Sequence, residues 1–271
     1  MQDSEGRSGM LRRRYNLLAW IYDSFDLYHE LFVYRRARRE LFAHIAEHST
    51  SASENTTDID TRAESGLATE STTEAEALPE SATETTTVLP TGNHYVNPIS
   101  ILDAGCGSGK NIPHYPQKAH VTALDISPKM LRRAKRRKAA RAKRERKQVS
   151  AMTEIELVEA DLFNLPPNCG PFDHVVLSFV TMLYHQPTTL IEALRQRLKP
   201  GGEIHILEWR RTVRRFGRAW LSLTDPLFCR LFGVVYHQGS AALLGPEKWN
   251  VVEERSFYKD VVWLVRAQKA E

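Results

Sequence analysis

Cysteine is scarce. Cys106, Cys169 and Cys229 are the only three in 271 residues, and no two of them form a CxxC pair. That usage points to neither a disulfide framework nor a zinc site, fits a reducing compartment, and leaves no metal expected. Long apolar runs are missing as well. Nothing approaches the roughly 18 to 20 residues that a spanning helix needs, and the opening MQDSEGRSGM has no apolar stretch behind its charges. A cytoplasmic protein, at most peripheral on a membrane, is the expectation. Acidic charge is concentrated in one place. Residues 49–91 hold nine acidic side chains and one arginine, so the formal net charge of +4 conceals a distinctly basic remainder.

Three regions follow from composition. Within residues 1–48, Leu17, Leu18, Trp20, Ile21, Phe25, Leu27, Leu31, Phe32 and Val33 are spaced among arginines as in one or two amphipathic helices, an N-terminal helical cap. Residues 49–92 are Ser, Thr, Glu and Ala with almost no aromatic side chain; such a segment buries too little to offset its ordering entropy, and reads as a disordered acidic insertion. Residues 93–271 alternate strand and helix. Strands are expected at 99–104, 120–125, 154–159, 174–178 and 203–208, helices at 127–147 and 188–198, and a final antiparallel hairpin from 251–254 and 261–267. The fold class is α/β, a doubly wound, mostly parallel sheet of the Rossmann-like kind, whose ligands sit at the carboxyl ends of the strands.

The most informative segment is ILDAGCGSGK, residues 101–110, an apolar strand running into Gly105, Gly107 and Gly109. A Walker A loop needs glycine at 104 and Ser or Thr at 111, where Ala104 and Asn111 stand; a dinucleotide fingerprint needs glycine at 110, where Lys110 stands. The remaining G-x-G-x-G form suits a ligand without a pyrophosphate, such as S-adenosylmethionine (SAM). Asp125, ending the second strand before Ile126 and Ser127, can accept both ribose hydroxyls of any adenosine ligand. After the third strand Asp161 can accept from an adenine amino group while Leu162 packs near the ring. Taken singly, the glycines also suit ordinary turns and either aspartate suits a helix N-cap.

The stretches LDAGCGSGKNIPHYP, VTALDISPKMLRRAKRR, VEADLFNLP, FDHVVLSFVTMLYH and LRQRLKPGGEIHILEW resemble the class I SAM-dependent methyltransferases of the UbiE/COQ5 and methyltransferase-11 type. The resemblance spans residues 99–209, and more loosely 11–48 and 210–268. It implies a seven-stranded sheet, SAM as cofactor, Gly105, Gly107 and Gly109 at the methionine end, and Asp103 among the cofactor-binding residues. It places Asp125 at the ribose, Asp161 and Leu162 at the adenine, and Ser178 facing the cofactor, with Ile126 also among the cofactor-binding residues. YNLLAWIYD is similar to a Y-D-x-x-A-x-x-Y-D element of the family, implying that Tyr15 or Tyr22 closes the pocket; Asn16 stands where the family has its first aspartate. GKNIPHYP is nearest to the branch of phospholipid and thiol methyltransferases.

A general base is needed only when the acceptor must lose a proton. His185, beside Tyr184 after the fourth strand, is the candidate; a solvent-facing loop histidine is the alternative. Twelve basic residues lie between Lys129 and Lys147, with apolar Met130, Leu131 and Ala134 only in the first turns, so the far end of that helix should project into solvent. A solvated helix competes there with a surface for anionic membrane; nucleic acid is disfavoured because no aromatic residue interrupts the run. The segment after Trp209, arginines alternating with Trp220, Leu221, Leu223, Leu227 and Phe228, suits a membrane-facing lid or an internal layer equally. The expected function is methyl transfer to a small or lipid-like acceptor, a phospholipid head group or quinol first. A small-molecule thiol methyltransferase is the alternative, and an NAD-dependent oxidoreductase or a non-catalytic adenosine-ligand module is the reading of another class.

Overall fold

The computed structural model describes residues 9–17, 34–47, 98–147, 152–209, 233–235, 243–258 and 260–270. All of them except Glu47 fall in one compact unit. The expected insertion 49–92, Tyr22 and residues 210–232 lie outside the described residues.

Seven strands form one sheet: β1 (Ser100–Ala104), β2 (His120–Asp125), β3 (Glu154–Glu159), β4 (Phe172–Ser178), β5 (Leu198–Trp209), β6 (Trp249–Phe257) and β7 (Val262–Lys269). Their order is β3-β2-β1-β4-β5-β7-β6. The first five are parallel; β7 pairs antiparallel with both β5 and β6. The chain leaves β1 toward β2 and β3, then returns to place β4 and β5 on the other side. The reversal between β1 and β4 opens the crevice where a doubly wound sheet binds its ligand.

Near-continuous apolar strands reflect burial on both faces. Leu102, Leu124, Val175, Leu177, Ile204, Ile206 and Trp263 point into one core with Leu190 and Leu194 of α4 (Pro187–Arg195). Ile101, Val121, Ala123, Val176, Leu207 and Leu264 point into the other, against Ala37, Leu41, Phe42 and Ile45 of the N-terminal helix α2 (34–47). A shorter helix, α1 (9–17), precedes it. The strong periodicity of Tyr34, Ala37, Leu41 and Ile45 explains why α2 docks as it does, burying one stripe.

Three boundaries differ from expectation. α4 ends at Arg195, because the Arg197 carbonyl accepts from Phe172 N at 2.8 Å and Leu198 already pairs with Phe172. Hence β5 starts ahead of Pro200-Gly201-Gly202, and the pairing with β4 shifts register there before resuming at His174 and Glu203. The C-terminal hairpin is longer than expected and turns at Tyr258 and Asp260, both with positive φ.

The far end of α3 (Pro128–Lys147) is not free in solvent. Arg141 is 7% exposed, and its guanidinium donates to Glu145 Oε1 at 2.6 Å, Ile112 O at 2.5 Å, Tyr115 O at 2.8 Å and Thr153 Oγ1 at 2.7 Å. An arginine making four hydrogen bonds replaces the missing apolar stripe, tying the helix to the loop after β1 and to the approach of β3.

Candidate active site

A cavity opens at the carboxyl ends of β1 to β4, and the three glycines after β1 divide the work of shaping it. All have positive φ, at +78° for Gly105, +55° for Gly107 and +83° for Gly109. A methyl group on Gly105 would stand 2.7 Å from Val180 Cγ2; one on Gly109 would meet Ile112 Cδ1 at 2.6 Å and Ala134 Cα at 2.9 Å. Gly105 therefore lets the loop pass Val180, and Gly109 lets α3 approach. At Gly107 nothing lies within 4 Å of such a group, so the missing side chain leaves room in the cavity.

Of the residues singled out in the sequence, Gly105, Gly107, Asp125, Ile126, Asp161, Leu162, Ser178, Tyr15 and Tyr184 line this cavity. Asp125 Oδ2 accepts from Gly107 N at 2.9 Å and Oδ1 from Ser127 N at 2.8 Å. Enclosure pushes its pKa up to about 6; the two backbone N–H groups pull against that, and Asp103 adds to it. Asp161 Oδ1 accepts from Phe163 N at 3.0 Å, which holds the turn after β3, and Leu162 is buried beside it. Tyr15, on α1, has its pKa raised by burial and then by the charge of Asp125.

Asp103, Gly109 and His185 are placed elsewhere. Asp103 is fully buried beneath the loop, bonded by Asn111 Nδ2 at 3.0 and 3.1 Å and by the Tyr115 hydroxyl at 2.5 Å. Burial raises its pKa against those donors and the charge of Arg38. It braces the loop from below and does not line the cavity. Gly109 is a packing position, as above. His185 lines a second cavity with Met10, Arg14, Val234 and Val235, which shares Leu11 and Leu183 with the first.

Sequence reasoning missed Arg38, Asn111 and Phe179. Arg38 is 4% exposed, donates to Asn111 Oδ1, and sits 5.3 Å above the Phe179 ring. Asn111 in turn donates to Asp103 and, at 3.2 Å, to Ser178 Oγ. One signal was legible: Arg38 lies on the stripe of Tyr34, Ala37, Leu41 and Ile45, where an arginine has to be paired. Glu208, 1% exposed at the end of β5, was also missed. Its Oε1 accepts from Val180 N at 2.6 Å and Thr181 N at 2.7 Å, holding the loop that closes the cavity floor, and burial lifts its pKa to about 8. Asn16 has a local role: its Oδ1 accepts from Ser127 Oγ at 2.7 Å, and Ser127 caps α3 by accepting from Met130 N.

Residues 101–202 match the family model described as a methyltransferase domain. Over those residues the chain carries the pattern of a methyltransferase domain. It is similar to a human thiol S-methyltransferase, 24% identical over 59% of this chain and 60% of the relative. It is also similar to a phosphatidylethanolamine N-methyltransferase of Cereibacter sphaeroides, 28% identical over 40% of this chain and 49% of the relative. The chain thus spans about half the length of the curated relatives it matches. Among solved structures the mitomycin 7-O-methyltransferase MmcR shares the fold, with a TM-score of 0.51 at 19% identity over 64% of this chain and 49% of that one.

Proposed function

We propose that the chain transfers a methyl group from SAM to a hydrophobic acceptor, a phospholipid head group or a quinol. The observation that carries the acceptor reading is the second cavity, walled by Met10, Leu11, Leu183, Val234 and Val235 and adjoining the first through Leu11 and Leu183. Apolar walls with Arg14 and His185 among them suit an acceptor with an apolar body and a polar or anionic head.

In this reading Asp125 accepts the two ribose hydroxyls on the carboxylate lone pairs that Gly107 and Ser127 leave over. Asp161 and Leu162 frame the adenine. Gly105 and Gly107 hold the amino-acid end, and Tyr15 with Tyr184 covers the opening toward the acceptor. SAM supplies an activated methyl group on a sulfonium. The protein's part is alignment of acceptor and methyl, worth roughly 7–11 kcal/mol when reacting atoms are held in line. His185 stands on the acceptor side, where it can take a proton from a quinol or thiol. Among the described residues no helix is long and apolar enough to cross a membrane. The similarity to a thiol S-methyltransferase supports a small thiol as the second reading.

Incubating the purified chain with methyl-labelled SAM and a membrane lipid extract tests the proposal. Label is expected in the organic phase. A cold organic phase with SAM still bound would move the acceptor to small thiols. Thermal stabilisation by NADH, with none by SAM or its demethylated product, would overturn the methyltransferase reading itself.

A further inference from the structure

At the amino ends of β4 and β5, away from the cavity, three buried side chains converge. The parallel register pairs His174 with Glu203 and Val176 with His205, so all three side chains leave the same face of the sheet. They are 6%, 7% and 1% exposed in chain order. His174 Nδ1 lies 3.1 Å from His205 Nε2, and Glu203 Oε2 lies 3.8 Å from the first and 3.5 Å from the second.

Protons match this group poorly. The gap between two ring nitrogens holds one proton, and no hydrogen bond reaches the buried Oε2 of Glu203. A buried carboxylate oxygen left in that state calls for an ion or a water. We propose that His174 Nδ1, His205 Nε2 and Glu203 Oε2 bind one divalent transition-metal ion of the zinc class.

The geometry is that of a first coordination shell. The point equidistant from the three atoms lies about 2.0 Å from each, the length of Zn–N and Zn–O bonds. Two imidazoles and one carboxylate select Zn2+, Co2+ or Ni2+ over Ca2+ and Mg2+, which take oxygen shells. The surrounding charges allow it. Arg266 Nη1 is 3.9 Å from Glu203 Oε1, which engages the guanidinium with the other carboxylate oxygen, and Glu253 Oε2, 3.9 Å from Arg266 Nε and 3.2 Å from His44 Nε2, offsets the arginine. His174 precedes Ser178 by four residues on β4, roughly 13 Å along the strand. The ion therefore ties β4 to β5 and takes no part in methyl transfer.

The test uses the untagged full chain, stripped with a chelator and titrated with Co2+. One equivalent is expected, with the visible d–d bands of a low-coordinate site, displaced by Zn2+ and accompanied by a rise in melting temperature. Glu203→Gln and His205→Asn should each lose the spectrum or weaken binding at least tenfold, while His120→Gln, at the exposed start of β2, should retain both. Should either variant fail to fold, zinc K-edge absorption of the wild-type chain reads the shell directly and should show two imidazoles. Absence of a Co2+ spectrum, wild-type affinity in Glu203→Gln, or a zinc shell without two imidazoles would each overturn the site.

Discussion

The two ends of the parallel strands treat buried charge differently. At the carboxyl end, Asp103 receives Asn111 and Tyr115, Asp125 receives two backbone N–H groups, and Glu208 receives two more. At the amino end, Glu203 faces imidazoles and a guanidinium in place of backbone N–H groups; its Oε2 has no hydrogen-bond donor, and neither has Glu208 Oε2 at the other end. Donors at the carboxyl end come from loops, whose amides are not committed to the sheet ladder and can turn inward. Strand interiors offer no spare amides, so a carboxylate there depends on side chains or an ion. The contrast explains why the carboxyl end offers fixed backbone groups around its cavity, the basis of the cofactor proposal, and the other end a carboxylate among imidazoles, the basis of the metal proposal.

The largest effect expected on this contrast comes from outside both ends. Arg141→Ala strips the buried network that holds α3 to the cavity loop, and should lower stability by about 3–5 kcal/mol in urea unfolding. A shift no larger than that of Arg144→Ala would show that the network is incidental. Next, Asp125→Ala removes two charge-assisted acceptors and should weaken SAM binding by on the order of a hundredfold or more by calorimetry, with the fold intact. Equal affinity would sink the ribose assignment.

Two pH effects follow, with opposite signs for stability and binding. Glu208 ordinarily titrates at 4.5 and here at about 8, so the folded chain holds a proton that the unfolded chain has lost. Its stabilisation is complete below about 4.5 and is lost as pH rises through about 8, at up to about 1.4 kcal/mol per pH unit. Glu208→Gln should flatten that slope; an unchanged slope in urea midpoints from pH 5 to 8 would reject it. Asp125, raised to about 6, must ionise to accept both hydroxyls. SAM affinity should therefore be steady above about pH 6 and fall up to about tenfold per unit below it, a dependence that Asp125→Asn abolishes.

Local pattern carried much of the fold. The β1 run into G-x-G-x-G, the strand ending at Asp125 and the alternation through Trp209 are short-range signals, because burial on both faces demands apolar strands and close approach demands glycine. The same signals placed Gly105, Gly107, Asp125, Asp161, Leu162 and Ser178 around one cavity. They misplaced Asp103, because a strand-end aspartate that faces a ligand and one that braces the loop beneath it read alike in one dimension.

What the sequence by itself determined is therefore the layering and the carboxyl-end cavity, since period and glycine spacing act within a few residues. Only the tertiary structure decided the partners of lone polar side chains. Arg38 met Asn111 from 73 positions away, Arg141 met Tyr115 from 26, and His174 met His205 from 31. Each contact depends on which strands lie side by side and how deeply they are buried, and an arginine or histidine written alone in a sequence has no period from which either can be read.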